Sequence, residues 1–247
     1  MQPYYDDKGI TIFCGDCLKV MPGLEAQSFD AIITDPPYGT TACAWDTVIP
    51  FAPMWGELRR LIRPRGAIAL FGSQPFTSAL VMSNPGWFRY EWVWDKRLPT
   101  GFLDAERKPL KRHENIIVFS DGRAEYRPIM RTGQLRHKGS ARRSDIYGRY
   151  ERTAGKYDDQ YYPTSILDFS GADRTDRHPT QKPLALMEYL ILTYTDSGAC
   201  VLDFTMGSGT TLRAAKNLGR RAVGIELEEK YCSIAARRLQ QEVMELV

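Results

Sequence analysis

The strongest constraint on this chain is the stretch Phe29-Asp-Ala-Ile-Ile-Thr-Asp-Pro-Pro-Tyr38, an apolar run ended by an acid, two prolines and an aromatic ring. Continuous small and β-branched residues such as Ala31, Ile32 and Ile33 are the mark of a strand covered on both faces. Asp35 falls at the carboxyl end of that strand. Pro36 and Pro37 fix φ and remove two donors, so the ladder stops and Asp35 and Tyr38 are held in a stiff turn. A carboxylate, a proline carbonyl and a phenol ring then share one small space. They suit a flat heterocycle with an exocyclic amino group: Asp35 and the Pro36 carbonyl accept its N–H bonds, and Tyr38 stacks on its face. A strand exit punctuated by proline is the plainer reading of so short a match, so the rest of the chain must decide.

The other apolar runs repeat the pattern. Strands are predicted over Ile10–Phe13, Ala67–Phe71, Phe88–Trp94, Asn115–Phe119, Ala199–Leu202 and Arg221–Ile225, and helices over Leu18–Leu24, Phe51–Ile62, Pro75–Met82, Pro183–Tyr194 and Glu228–Glu245. Alternation of this kind specifies an α/β fold with a doubly wound, mostly parallel sheet. Its 247 residues are ample for one large core. Asp16, Asp35, Asp203 and Glu226 all end predicted strands, the edge where open α/β sheets bind ligands.

Asp203-Phe-Thr-Met-Gly-Ser-Gly-Thr-Thr211 opens a helix predicted to run to Leu218. Gly207 and Gly209 permit a tight turn, and the helix amino terminus offers N–H groups to a ligand. Leu212 stands where a dinucleotide fingerprint needs glycine, and no Gly-Lys-Ser/Thr follows, so a pyrophosphate ligand is not expected. Glu226 is placed to accept bonds from ribose hydroxyls.

Between Gly122 and Tyr162 apolar periodicity disappears, and ten Arg or Lys residues, Arg142 and Arg143 among them, interleave with six tyrosines. A solvated insertion would have the cations; the tyrosines add stacking faces and favour a nucleic-acid surface. Lys96, just past a predicted strand end, is either a DNA contact or solvated. Cys14-Gly-Asp-Cys17 has zinc-like spacing without a second pair, and no metal cluster is visible. Five cysteines suit a reduced compartment, and the amino-terminal stretch has neither a basic start nor an apolar core, so a cytosolic protein without a membrane span is expected.

Together these motifs resemble the DNA amino-methyltransferases that use S-adenosylmethionine, in the permuted order where the catalytic half precedes the cofactor half. Asp35-Pro-Pro-Tyr38 matches the family's catalytic motif, His178-Pro-Thr-Gln-Lys-Pro183 the segment before the cofactor helix, and Gly207-Ser-Gly-Thr-Thr211 the glycine loop. The resemblance implies a Rossmann-like domain with a catalytic half at 1–121, a target-recognising insertion at 122–165 and a cofactor half at 166–247. It assigns catalysis to Asp35, Pro36, Pro37 and Tyr38, and cofactor binding to Asp16, Lys182, Asp203, Gly207, Ser208, Gly209, Thr210 and Glu226. Arg142, Arg143 and Lys96 are the expected DNA contacts. It further implies double-stranded DNA as substrate, base flipping and a homodimer; a cognate restriction endonuclease, or none, is left open. Thr205 departs from the pattern, which has an aromatic residue there; Phe204 is the nearest substitute. Asp at the first catalytic position favours adenine N6. Cytosine N4, an RNA substrate and a nicotinamide-dependent oxidoreductase remain open.

Overall fold

The computed structural model describes residues 2–40, 46–137, 157–171 and 181–241. Trp45, Arg142, Arg143 and the His178-Pro-Thr180 part of the motif lie outside them.

The chain forms two compact units, residues 1–127 with 165–247, and Pro128–Thr164. The larger holds a nine-stranded sheet. Its strands are β1 (Tyr5–Asp7), β2 (Ile10–Cys14), β3 (Phe29–Thr34), β4 (Ile62–Gly72), β5 (Phe88–Thr100), β6 (Lys111–Phe119), β9 (Ile166–Asp168), β10 (Cys200–Asp203) and β11 (Arg221–Glu226). Their order is β1-β2-β11-β10-β3-β4-β6-β5-β9. The smaller unit contains a hairpin, β7 (Arg131–His137) with β8 (Tyr157–Tyr161), in which the Arg136 guanidinium lies 4.1 Å from the Tyr161 ring centroid.

β3 is the centre of the sheet, and its alternation shows why. Ala31 and Ile33 face one core with Leu186, Leu190, Leu212 and Ala235 from helices α4 (Leu184–Tyr194), α5 (Thr210–Asn217) and α6 (Glu229–Gln240). Ile32 faces the other, with Leu58 and Leu80 from α2 (Phe51–Leu61) and α3 (Phe76–Ser83). Successive strand residues point to opposite faces, so a strand buried on both must be apolar throughout. The short α1 (Cys17–Val20) follows β2.

The sheet is mostly parallel, as the sequence pattern specifies. β2-β11-β10-β3-β4 is parallel throughout, but β6 runs antiparallel to both β4 and β5, and β1 antiparallel to β2. Ten residues join β5 to β6, too few for the crossover helix that parallel neighbours need. Both strands also extend beyond their predicted ends, to Thr100 and from Lys111. β10 and β11 slot between β2 and β3, so the two sequence halves share one sheet. The carboxyl ends of β2, β11, β10, β3 and β4 therefore lie along one edge.

Candidate active site

At that edge, β3 delivers Asp35 into a turn braced by Asp46. The Asp46 carboxylate accepts from the main-chain N–H groups of Tyr38 (2.8 Å), Gly39 (2.9 Å) and Thr40 (2.9 Å). Gly39 has φ +68°, and a Cβ there would meet the Val48 side chain at 3.0 Å. The turn is thus held from outside the motif, by an acid that sequence spacing alone does not single out.

Both Asp35 oxygens are fixed. The Tyr38 hydroxyl donates to Oδ1 at 2.5 Å, and Lys182 Nζ lies 2.7 Å from Oδ2. The Tyr38 ring packs on Phe76 with centroids 5.1 Å apart. Lys182 also reaches Glu114 Oε2 at 3.0 Å, and Lys96 closes the network on Glu114 Oε1 at 3.1 Å. The Phe71 and Trp94 rings lie 5.0 and 5.8 Å from the Lys182 ammonium. Two carboxylates and two ammonium groups are thereby balanced in a largely buried space. Burial pushes the Asp35 carboxyl up against the pull of Lys182. Burial also opposes the charge on Lys182, but Asp35 and Glu114 outweigh it and hold the ammonium above its usual range. Glu114 is held below its ordinary value by Lys182 and Lys96 despite its burial.

Lys182, grouped in the sequence with the cofactor residues, sits against Asp35 and lines the same cavity as Gly207 and Glu226. Lys96 turns inward to Glu114 and lines the cavity. Glu114 itself has no motif around it; its only sequence signal is a carboxylate entering the buried run Ile116–Phe119.

The cofactor loop is tied directly to this turn. Asp203, at the end of β10, accepts from the hydroxyls of Thr34 and Thr211 (2.5 Å to the latter) and from the Thr205 N–H at 3.2 Å. Both its oxygens are engaged within the protein. Thr205 Oγ1 donates to the Asp35 carbonyl at 3.0 Å and lies 2.8 Å from Thr34 Oγ1. The threonine that departs from the family pattern therefore joins the glycine loop to the catalytic main chain, a task an aromatic side chain could not perform. Phe204 is buried and lines the same cavity.

Burial pushes the Asp203 carboxyl from 3.8 up to about 6, with the Thr211 and Thr34 hydroxyls opposing the shift. A folded value above the unfolded one makes its contribution to stability greatest below about pH 4. That contribution declines as pH rises through 6, by about 3 kcal/mol in all. Asp203→Asn cannot ionise, so its unfolding free energy relative to the native chain should rise by up to that amount between pH 4 and 7. Urea unfolding of both proteins measures this, and a pH-independent difference would show that Asp203 ionises normally.

Beyond Asp203, Glu226 accepts from the N–H groups of Gly207 and Glu228, both at 2.9 Å. Gly209 begins α5 at φ +76°, where a Cβ would strike the Ala235 Cβ at 2.7 Å. Ser208 donates to Gln181 at 3.2 Å, and Arg238 donates to the Ser208 carbonyl at 2.7 Å and the Thr210 hydroxyl at 3.2 Å. Asp16 caps α1 by accepting from Leu18 N–H at 2.9 Å. One cavity of about 730 Å³ is lined by Asp16, Asp35, Tyr38, Lys182, Gly207 and Glu226. It is large enough for a nucleoside-sized ligand and a second planar group together.

A family model for DNA methylases of the N6/N4 type matches residues 29–237, spanning both the catalytic turn and the glycine loop. The chain belongs to the N6/N4 DNA methylase family. The methylase is 29% identical over 248 residues to Type II methyltransferase M.HpaI of Haemophilus parainfluenzae, covering 94% of this chain and 74% of that one. It is 27% identical over 252 residues to DNA adenine methyltransferase YhdJ of Escherichia coli (strain K12), covering 95% and 84%. PvuII DNA methyltransferase (cytosine-N4-specific) shares the fold with TM-score 0.73 at 14% identity, over 99% of this chain and 91% of that one.

The methylase thus acts on DNA with S-adenosylmethionine as its cofactor. The donor set fits that molecule. Glu226 and Asp16 offer acceptors for hydroxyl and amino groups, the start of α5 offers N–H groups, and Met206 and Leu227 add apolar surface in the same cavity. Among the described residues no group of three or more His, Cys, Asp and Glu side chains forms a metal site, and no helix is long and apolar enough to cross a membrane.

Proposed function

We propose that the methylase modifies the exocyclic N6 of adenine in double-stranded DNA, receiving the base outside the duplex. The observation that carries this reading is the Asp35 carboxylate, pinned by Tyr38 and Lys182 in the cavity that also holds the glycine loop and Glu226.

An aromatic amine is a poor nucleophile because its lone pair is delocalised into the ring. Each Asp35 oxygen keeps a lone pair beyond those engaged by Tyr38 and Lys182. With the Pro36 carbonyl it can accept both amine N–H bonds and hold the nitrogen out of conjugation. When bound, S-adenosylmethionine supplies the electrophilic methyl group; its S–CH3 bond breaks, the neutral thioether leaves, and the methylated nitrogen gives up one proton. Asp35 stabilises the positive charge that develops on the nitrogen, and Tyr38 and Lys182 preorganise that carboxylate so that little rearrangement is needed. Extrusion of the base costs a few kcal/mol, offset by stacking and hydrogen bonds in the cavity.

Adenine is favoured by the aspartate that opens the catalytic motif and by the larger stacking face of a purine. The named adenine specificity of the YhdJ relative supports it. Cytosine N4 is the second reading, because the same pair of acceptors serves either amine and the PvuII enzyme with this fold is cytosine-specific. Nucleoside digestion and mass spectrometry of DNA from expressing cells tests the proposal. N6-methyldeoxyadenosine supports it, and exclusive N4-methyldeoxycytidine overturns it. Single-molecule sequencing of the same DNA identifies the modified sequence.

A further inference from the structure

The connection between β5 and β6 leaves the sheet at the same edge as the catalytic turn, because β5 and β4 both pair antiparallel with β6 and so run in the same direction. Apolar residues at the end of β5 and the start of this connection face solvent. Leu98 is 57% exposed, Phe102 67% and Leu103 fully exposed, three large hydrophobic side chains within six positions. Single exposed hydrophobics are ordinary, but a cluster marks a surface that something covers.

The setting identifies what covers it. Leu98 and Thr100 line the cavity that holds Asp35, so the cavity wall runs continuously into the exposed tip. Gly101, at φ +91° and with nothing within 4 Å of where a Cβ would stand, lifts the tip clear of the sheet. Between Lys96 and Arg112 the sequence has six Lys or Arg residues and only two acids, Asp104 and Glu106. Several of these cations are held in place by carboxylates: Arg97 by Asp168 at 2.6 Å, Arg112 by Asp95 at 2.7 Å and Lys108 by Asp104 at 3.0 Å. An apolar tip in a collar of cations, four of the six (Lys96, Arg97, Lys108 and Arg112) already paired with carboxylates of the protein, lies at the mouth of the cavity and is complementary to a polyanion whose interior is a stack of flat apolar rings.

We propose that Phe102 and Leu103 form a wedge that enters the DNA base stack beside the target nucleotide, while Arg107 contacts a flanking phosphate. The inference rests on the reading that the base is received outside the duplex. Apolar wedges of this kind unstack a base step at a cost of a few kcal/mol. Here the wedge occupies the gap the extruded base leaves, which favours the open state over re-stacking. The collar attracts the backbone without reading sequence.

The test compares the native methylase with the F102A/L103A variant on two duplexes carrying the modified sequence. One has the target base normally paired; the other has an abasic site opposite it, so that extrusion is already eased. The variant should lose tenfold or more in kcat/KM on the paired duplex and no more than about threefold on the abasic one. Its thermal melting and its S-adenosylmethionine affinity by calorimetry should match the native protein. With 2-aminopurine at the target position, the native enzyme should brighten its fluorescence and the variant should do so less. Equal losses on both duplexes, or no loss on the paired one, would overturn the wedge. A native enzyme that methylates DNA without brightening 2-aminopurine would remove the extrusion reading and the wedge with it. A variant that sediments as a monomer where the native protein is a dimer would assign the tip to a contact between copies instead.

Discussion

Replacing Asp35 by alanine should reduce methyl transfer to DNA by roughly 10²–10³-fold or more, the scale seen when a preorganised group that meets developing charge is removed. Affinity for S-adenosylmethionine should stay within a few-fold. The separation is expected because Glu226 and Gly207 hold each other without Asp35, and because Thr205 bonds to the Asp35 main-chain carbonyl, which alanine keeps. Lys182 retains Glu114 as a counter-ion, so the variant should fold. Radiolabelled methyl transfer and calorimetric titration measure the two quantities on the same preparation. A loss of cofactor affinity in proportion to the loss of transfer would mean that Asp35 serves the cofactor, and the division of the cavity would have to be redrawn.

Lys182→Met should be the most damaging single change to stability in the site. It strands Asp35 and Glu114 beside each other with only Lys96 for compensation, and removing one partner from a buried ion network costs about 3–5 kcal/mol. For a chain of this length that corresponds to a fall in Tm on the order of 10 °C. The pH dependence carries a second, independent signature. Lys182 lowers the pKa of Asp35, so its loss raises that pKa further, and the acidic limb of kcat should move to higher pH. Adding Glu114→Gln removes the stranded like charge and should return part of the stability; because Glu114 also raises the Asp35 pKa, it should move the limb part of the way back. Thermal melts and pH–rate profiles of the single and double variants separate the two effects. An acidic limb that stays in place would show that Asp35 does not titrate under the influence of Lys182.

Much of this arrangement is legible as punctuation. Asp35-Pro-Pro-Tyr38 and Glu226 announce themselves because an apolar run stops at a charged residue, and the glycine loop because Gly207 and Gly209 break a strand-to-helix passage. Edge elements are harder to read. β1 and β9 are three residues long with one side chain buried at most, and β7 contains a single aliphatic residue, Leu135, so none has a hydrophobic period to detect. The antiparallel course of β6 was open to inference, since no helical pattern separates it from β5. The charge network was not. Lys182, Glu114 and Lys96 come from three separate segments: the pairing of Trp94 with Glu114 across β5 and β6 brings Lys96 to Glu114, and the approach to α4 brings Lys182. Asp46 belongs to the same class. Its three main-chain donors, Tyr38, Gly39 and Thr40, lie six to eight positions before it, a spacing that matches no regular element. Thr205 looked like a missing aromatic contact and proves to be a bridge.

The position of β10 has a consequence for how the protein comes into being on the ribosome. One neighbour of β3 is β4, which emerges within the next few dozen residues, but the other is β10, paired through Val201 with Ala31 and Leu202 with Ile32. Until residues 200–203 have been made, the nascent chain therefore carries the Asp35 turn on a strand whose second edge is bare. Contacts this distant in sequence are slow to close, and an unpaired apolar edge invites association with other chains. Asp35 also lacks its bond from Thr205 until that residue arrives, so a product truncated before it would bear Asp35-Pro-Pro-Tyr38 without that brace.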